Sequence, residues 1–549
     1  MAMISGNDLV GETLKRIGVD TMFFIMGGPI NDALTSAMKR GVRGIDVRHE
    51  QAAAMSAQAY ARVKNKPGLC LGASGPGTIN LTTGLANALI DCCPVVAFGG
   101  SSPLKDLGTG TFQEIDQVAI MKPVTKWADR VYEARRIPEM IDLAFRRSIA
   151  GKPGPVYLDL PSDVLYEEID EAGVKWPDLT RTLARSKPQG DPALIEEAVK
   201  LLERSSRPVV LSGSGVLWSD GVEPLRQWIE TTGMPIYTTP QGRGVLPEDH
   251  PHAFLNARST AMKEADLYLV VGTRLNYVFA QLQPPRMSGT AKVIRIDIDP
   301  AEIGSSPRVD VGIVGDAGTV MRQLLAAGAG RVDGGRTADW RGHLAAIEAA
   351  KQPEQEKALS TDKRPIHPLR LCKEVRDFID RDAILVVDGQ EILNYGRQSI
   401  PTFNPRHRIN SGTFGTMGVG MPFGVGAKAA QPDKQVVVLH GDGSFGLNAM
   451  ELDTAARHNL PVIVVISLNG GWTADPKREK PGRDLGYTRF DLFAQSLGCH
   501  GEQVEKPEDI RPALERAKAA IRNGKPALVN VVTDFAARAV TVRFTKTAT

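Results

Sequence analysis

GDGSFGLNAMELDTAARHNLPVIVVISLNGGW, residues 441–472, decides how the last third of this chain is read. It follows the apolar run QVVVLH and contains a second, PVIVVISL, which ends at its own Asn-Gly-Gly. The order strand, GDGS turn, helix (LNAMELDTAARHN), strand predicts a βαβ unit whose two strands are parallel neighbours. Asp442 and Asn469 then sit side by side at the carboxyl ends of those strands, where open α/β sheets bind ligands. The helix that follows the turn aims its N-terminal amides at the same place. An Asp442 carboxylate, an Asn469 amide oxygen and the Gly471 carbonyl offer a hard cation three oxygen ligands, leaving room for diphosphate oxygens and water. Gly441 and Gly443 let phosphate approach the backbone, and Ser444 adds a hydroxyl. A plain strand-to-helix turn with a capping aspartate accounts for GDG alone at least as well. The pairing with Asn469, one helix and one strand later, favours a magnesium diphosphate site.

The same alternation of apolar strands and amphipathic helices runs through the chain, which makes the fold class α/β with three doubly wound parallel-sheet domains. TMFFIM, GIDV, GLCLGAS, CPVVAFGG and GPVYLDLP mark the strands of a first domain, residues 1–166. The polar stretch 167–190 carries two prolines and reads as a linker. RPVVLSGSG, MPIYTT, LYLVVGT and KVIRIDIDP belong to a central Rossmann-like domain, 190–328; AILVVDGQE, KQVVVLHGDGS, PVIVVISLN and ALVNVVTD belong to a third, 366–549, with a basic tail. At 549 residues and 42% hydrophobic content, the chain is too long for a single core. A net charge of +3 from 66 basic and 63 acidic residues argues against nucleic acid or a membrane surface as the main partner. The N-terminal stretch has charges within its apolar pattern and no run approaches the ~20 apolar residues of a membrane span, so a cytoplasmic protein is expected. Cys70, Cys92, Cys93, Cys372 and Cys499 form no C-x-x-C pair and read as reduced thiols.

With RHEQAA (48–53), GPGTIN (75–80) and GTFGTMGVG (412–420), the GDGS and Asn469 spacing resembles the thiamine-diphosphate-dependent enzymes along the whole chain. One departure is Leu468, where that family's fingerprint has the first of two asparagines; the second supplies the metal ligand. The resemblance implies thiamine diphosphate and Mg²⁺ as cofactors, with Asp442, Asn469 and the Gly471 carbonyl on the metal and Gly443 and Ser444 at the diphosphate. Glu50 would hydrogen-bond the pyrimidine N1′ as proton relay, where its bland reading is a first-turn glutamate on a helix dipole. The Gly415 carbonyl would accept from the 4′-amino group, and Met417, otherwise a core residue, would wedge between the two cofactor rings. Gln390 and Glu391 fall at the diphosphate, with the Glu391 side chain expected to point away. Such sites lie between the first domain of one subunit and the third of another, implying a homodimer or homotetramer.

GGSSPLKDLGTGTFQEIDQ (99–117) and NPRHRINSGTFGTMGVG (404–420) resemble the 2-hydroxyacyl-CoA lyases and oxalyl-CoA decarboxylases. This places Phe112 and Gln113 against the reacting carbon, Gln113 donating to a developing oxyanion. Oxalyl-CoA decarboxylases look to carry Tyr-Glu there, so Phe-Gln favours the lyase, although acetolactate synthases share it. Trp472 falls over the substrate position, and the segment after it lacks the Gln-Trp-Gln of acetolactate synthases. The first 60 residues and 114–138 also resemble benzaldehyde lyase, which has a histidine where this chain has Pro29. Lys477, Arg478, Lys480 and Arg483, with Arg538, Arg543 and Lys546 of the tail, suit the phosphates of coenzyme A; a solvated loop and tail is the alternative. GSG (213–215) and RIDIDP (295–300) leave ADP or FAD open for the central domain, beside an empty structural domain. The expected activity is that of a C–C lyase or carboligase on a small acyl-CoA, releasing formyl-CoA and an aldehyde or ketone reversibly. An acetolactate-synthase-like or benzaldehyde-lyase-like enzyme acting on substrates without coenzyme A is the alternative.

Overall fold

Strand runs as apolar as VVVLH and VIVVISL must be covered on both faces, and the structure covers them with helices. The computed structural model describes residues 2–305, 308–477 and 479–539. Its first sheet contains β1 (Thr21–Phe24), β2 (Arg43–Asp46), β3 (Gly68–Gly72), β4 (Val95–Ser101), β5 (Trp127–Arg130) and β6 (Val156–Pro161) in the order β2-β1-β3-β4-β6-β5, all parallel. The central sheet has the order β8-β7-β9-β10-β11, from β7 (Pro208–Ser212), β8 (Ile236–Thr238), β9 (Leu267–Val271), β10 (Lys292–Asp297) and β11 (Val311–Val314). The third is built round β12 (Ile384–Asp388), β13 (Val436–Gly441), β14 (Ile463–Leu468), β15 (His500–Val504) and β16 (Ala527–Val532), ordered β12-β13-β14-β16-β15. These three parallel sheets with flanking helices are the expected α/β architecture.

By contacts the chain divides into two units: residues 1–185, 362–396 and 409–549 in one, and residues 186–361 with 397–408 in the other. The first unit thus joins the first and third sheets. The stretch read as a linker is partly ordered into it, because Glu168–Asp170 pairs antiparallel with Met3–Ser5 and Arg185 donates to Asn65 Oδ1 and O. Two edge strands, β5 (WADR) and β15 (HGEQV), escape a reading by apolar runs, since half-exposed edges need no apolar alternation. In the second unit the glycines of GSG are explained by packing. A Cβ on Gly213 would lie 2.4 Å from Thr273 Cβ, and one on Gly215 would lie 2.7 Å from Gly272 O. No helix among the described residues is long and apolar enough to cross a membrane.

Two helices join the first and third sheets within their unit. The alanine-rich α1 (Glu50–Lys64) is capped by His49, whose ring accepts from Gln51 N, and stops at Asn65 in the left-handed region. Its side chains are buried on nearly every face, so it packs all round rather than along one stripe. Against it lies α2 (Gly420–Ala430), buried throughout, where Gly426 lets the backbones close: a Cβ there would lie 2.1 Å from Ser56 O. Ser56 Oγ also donates to Pro422 O at 2.9 Å. The helical run begins at the aspartate itself, with α3 (Asp442–Leu447) where a GDGS turn is expected, and the helix expected at LNAMELDTAARHN narrows to α4 (Glu451–Arg457), so the run is in two pieces. Asn448 breaks it, leaving helical geometry while its side chain donates to Gly418 O at 2.7 Å. Gly426→Ala is expected to cost about 1–3 kcal/mol through overpacking; an unchanged denaturant midpoint would contradict this close helix contact.

Candidate active site

The register of the third sheet sets Asp388, His440 and Ile466 abreast, and Gly441 opposite Ser467, so β12, β13 and β14 end at one level. Beyond those ends lies a cleft lined by Gln390, Glu391, Met417, Asp442, Gly443, Ser444, Asn469, Gly471, Trp472 and Ala537. Asp442 and Asn469 meet on one amide: Gly471 N donates to Asp442 Oδ2 at 2.9 Å and to Asn469 Oδ1 at 3.1 Å. Asp442 is buried, and that burial pushes its carboxyl up to about 6 against the pull of the Gly443, Gly471 and Gly470 amides and the Arg483 charge. It makes no ion pair among the described residues. A buried carboxylate without a cationic partner, beside an amide oxygen, is a donor set that fits Mg²⁺.

Gly443 owes its identity to Trp472 as much as to any ligand, because a Cβ there would lie 2.7 Å from the indole ring. Trp472 is partly exposed, so it walls the cleft at its rim. Ser444 Oγ donates to Gly441 O at 3.0 Å and lies 3.1 Å from Nδ1 of His440, a ring that burial holds down to about 3. Glu391 turns its carboxylate along the cleft, accepting from Thr473 Oγ1 at 3.3 Å and from Ala539 N at 2.9 Å. Gly415, at φ +75°, lies outside the cleft lining.

Glu50, Phe112 and Gln113 do not line this cleft; they form a second group on the first sheet. Glu50 opens α1, and its Oε2 accepts from Asn80 Nδ2 at 2.9 Å. The GPGTIN turn is threaded between Glu50 and Gln113: Cβ atoms would lie 3.3 Å from Glu50 Oε1 at Gly77 and 2.6 Å from Gln113 O at Gly75. Gln113 takes φ +61°, costly for a non-glycine residue, and the neighbouring Phe112 is 86% exposed. Sequence reasoning missed Glu451, although it lies in the opening stretch. This buried α4 residue accepts from Arg48 N at 3.1 Å and from Thr454 Oγ1 at 2.7 Å, and burial pushes it up to about 7. It ties the turn before Glu50 to the segment after Asp442.

The basic residues assigned to coenzyme A divide. Arg483 is buried and spends its donors on the loop that follows β14, which corrects its reading as a phosphate ligand. Lys480 Nζ donates to Ala474 O, and Lys477 is exposed. Arg478, Arg543 and Lys546 lie outside the described residues.

Three family models match in succession: the thiamine pyrophosphate enzyme N-terminal TPP binding domain at residues 4–120, the central domain at 195–324 and the C-terminal TPP binding domain at 393–531. The chain belongs to the thiamine pyrophosphate enzymes. A 2-hydroxyacyl-CoA lyase of Arabidopsis thaliana is 34% identical, over 97% of this chain and 96% of its own length. The oxalyl-CoA decarboxylase of Escherichia coli K12 is 34% identical over 100% of this chain and 98% of its own. The acetolactate synthase large subunit IlvG of Mycobacterium tuberculosis is 34% identical over 96% and 95%. This thiamine pyrophosphate enzyme therefore takes thiamine diphosphate and acts on carbon–carbon bonds, whereas three equal identities do not choose its substrate. Replacing Gly443 by Ala is expected to push the indole off its seat. The near-UV circular dichroism difference between the variant with and without Trp472→Phe should shrink from its wild-type value, and an unaltered difference would contradict the packing.

Proposed function

We propose that this enzyme is a Mg²⁺-dependent 2-hydroxyacyl-CoA lyase that cleaves its substrate reversibly into formyl-CoA and an aldehyde or ketone. The observation that carries coenzyme A is an arginine patch in the second unit. The Arg258 guanidinium lies over the rings of Tyr237 and Phe279, 5.7 and 5.2 Å from their centroids, and Arg286 donates to Tyr277 O at 3.4 Å. Burial and the nearby charges of Arg397 and Arg286 pull Arg258 down to about 10. Arg397 is lowered too, by burial and by Arg243 and Arg286. A guanidinium over two aromatic faces, with Arg286 bonded nearby, suits an adenine nucleotide bearing phosphates.

Thiamine diphosphate, when bound, supplies a nucleophilic carbon and an electron sink for C–C cleavage. We assign Asp442, Asn469 and the Gly471 carbonyl to Mg²⁺, and Ser444, Gly443 and the Gln390 and Glu391 backbone to the diphosphate. Met417 would hold the cofactor rings apart, and the Gly415 carbonyl would take the amino group. Glu50 would hold the proton at the pyrimidine N1′, Gln113 would donate to the substrate carbonyl oxygen, and Phe112 and Trp472 would screen the reacting carbon from water. Because Glu50 and Gln113 stand apart from the cleft, half-buried beside the exposed Phe112, we assign the complete site to two copies of the chain. The GSG glycines of the central domain are accounted for by packing and so carry no argument for a nucleotide at that turn.

Acetone or an aldehyde with formyl-CoA should be joined while pyruvate alone stays inert; turnover of pyruvate with inert formyl-CoA would overturn the substrate assignment. Arg258→Met should raise KM for the thioester about tenfold, the loss of one hydrogen bond to a charged group, with kcat retained. Co-expressed Glu50→Gln and Asp442→Asn chains, each inactive alone, should regain activity in mixed oligomers, and mixtures that stay inactive would count against a shared site. The folded-state acidity of Asp442 is weakened, so its proton competes with the cation and is lost as pH rises through about 6. Apparent Mg²⁺ affinity should therefore fall about tenfold per pH unit below that value, and a flat profile from pH 5 to 7 would contradict the ligand assignment.

A further inference from the structure

The loop after β14 must do two opposed things under the proposed function: hold its backbone rigid, and keep one carbonyl unbonded for a cation. Arg483 accomplishes both. Its Nε donates to Thr473 O at 2.7 Å, Nη1 to Gly470 O at 3.1 Å, and Nη2 to Asn469 O at 3.1 Å. Nη1 also reaches Asp484 Oδ1 at 3.0 Å. The backbone closes the same loop, with Trp472 N donating to Arg483 O at 3.1 Å and Leu485 N to Gly470 O at 2.9 Å. The carbonyls of residues 469, 470 and 473 are thereby taken, whereas Gly471 O accepts no hydrogen bond among the described residues. Gly471 is small for the same reason, since a Cβ would lie 2.2 Å from Arg483 O and 2.7 Å from its Nη1. The side chain is 4% exposed, so it reaches these carbonyls with little competition from water.

We infer that Arg483 is a positioning residue for the metal loop: by saturating three carbonyls around Gly471 it leaves that oxygen, with Asn469, arranged for Mg²⁺, and it fixes Trp472 against Gly443. The inference rests on the cation assignment made under the proposed function. A planar fork serving three carbonyls cannot be replaced by a lysine point charge, so the conservative variant is informative.

The test is equilibrium binding of thiamine diphosphate to the full-length apoenzyme, followed by quenching of intrinsic fluorescence as Mg²⁺ is titrated. Melting temperature is measured in parallel. Arg483→Met should raise the Mg²⁺ needed for half-maximal loading at least about tenfold, as expected for removing several bonds from a charged donor, and Arg483→Lys should recover only part of that loss. Millimolar guanidinium ion should restore loading in Arg483→Ala, where the side-chain space is empty. Should the Met variant fail to fold, the Lys variant carries the test through its own smaller rise at an unchanged melting temperature. Folded variants with wild-type Mg²⁺ dependence would overturn the role of Arg483 while leaving the cation site standing. Wild-type protein that loads thiamine diphosphate without any Mg²⁺ dependence would overturn the cation site itself, and the role of Arg483 with it.

Discussion

A carboxylate at the end of a buried strand, with no ion-pair partner among the described residues, is the constraint around which the loop after β14 is arranged. Asp442 can be buried because the Gly443 and Gly471 amides turn toward it, and they turn because the loop carries glycines where side chains would collide with Trp472 and Arg483. Amides alone do not offset the burial, as the upward shift of the carboxyl shows. An enzyme that requires a divalent metal has a use for such an imbalance. Under the proposed Mg²⁺ assignment the ion would bring the compensating charge, and folding of the loop and binding of the ion would be linked.

The first sheet answers a different requirement. Under the proposed function Glu50 is to be presented at a helix start, close to solvent yet fixed, and three contacts hold it there: the His49 cap, the Asn80 amide and the Glu451 carboxylate gripping the turn before it. Glu451 belongs to the segment that follows Asp442, so within one chain the two groups of candidate residues are mechanically joined without facing each other. An ion pair and a hydrogen bond reinforce that seam, Arg457 and His458 meeting Asp46 at 2.6 and 2.7 Å. If each complete site draws on two copies, these contacts tie one site of the oligomer to the next.

Much of this was legible in the sequence because strands buried on both faces must be continuously apolar, and helices between them must be amphipathic or small. That logic placed β13 and β14 as parallel neighbours and brought Asp442 beside Asn469. It failed where polar residues act through geometry rather than pattern. Asn448 ends a helix by bonding Gly418 O, and a window of helix-forming residues hides this. β5 and β15 are edge strands with no apolar alternation to announce them. Arg483 is one of four basic residues whose clustering suggests phosphate contact or a solvated loop, because composition records the charge but not that it is buried and spent on carbonyls. The arginines of the second unit were invisible for the opposite reason: Arg258, Arg286 and Arg397 are far apart in sequence and only the fold gathers them.

Everything proposed for the cleft depends on a divalent ion at Asp442. The direct measurement is anomalous diffraction from crystals grown with thiamine diphosphate and Mn²⁺ in place of Mg²⁺. The account predicts a single strong peak per site, about 2.0–2.3 Å from oxygens of Asp442, Asn469 and Gly471. A cofactor-loaded crystal with no peak there, or with the ion held by other residues, would contradict it.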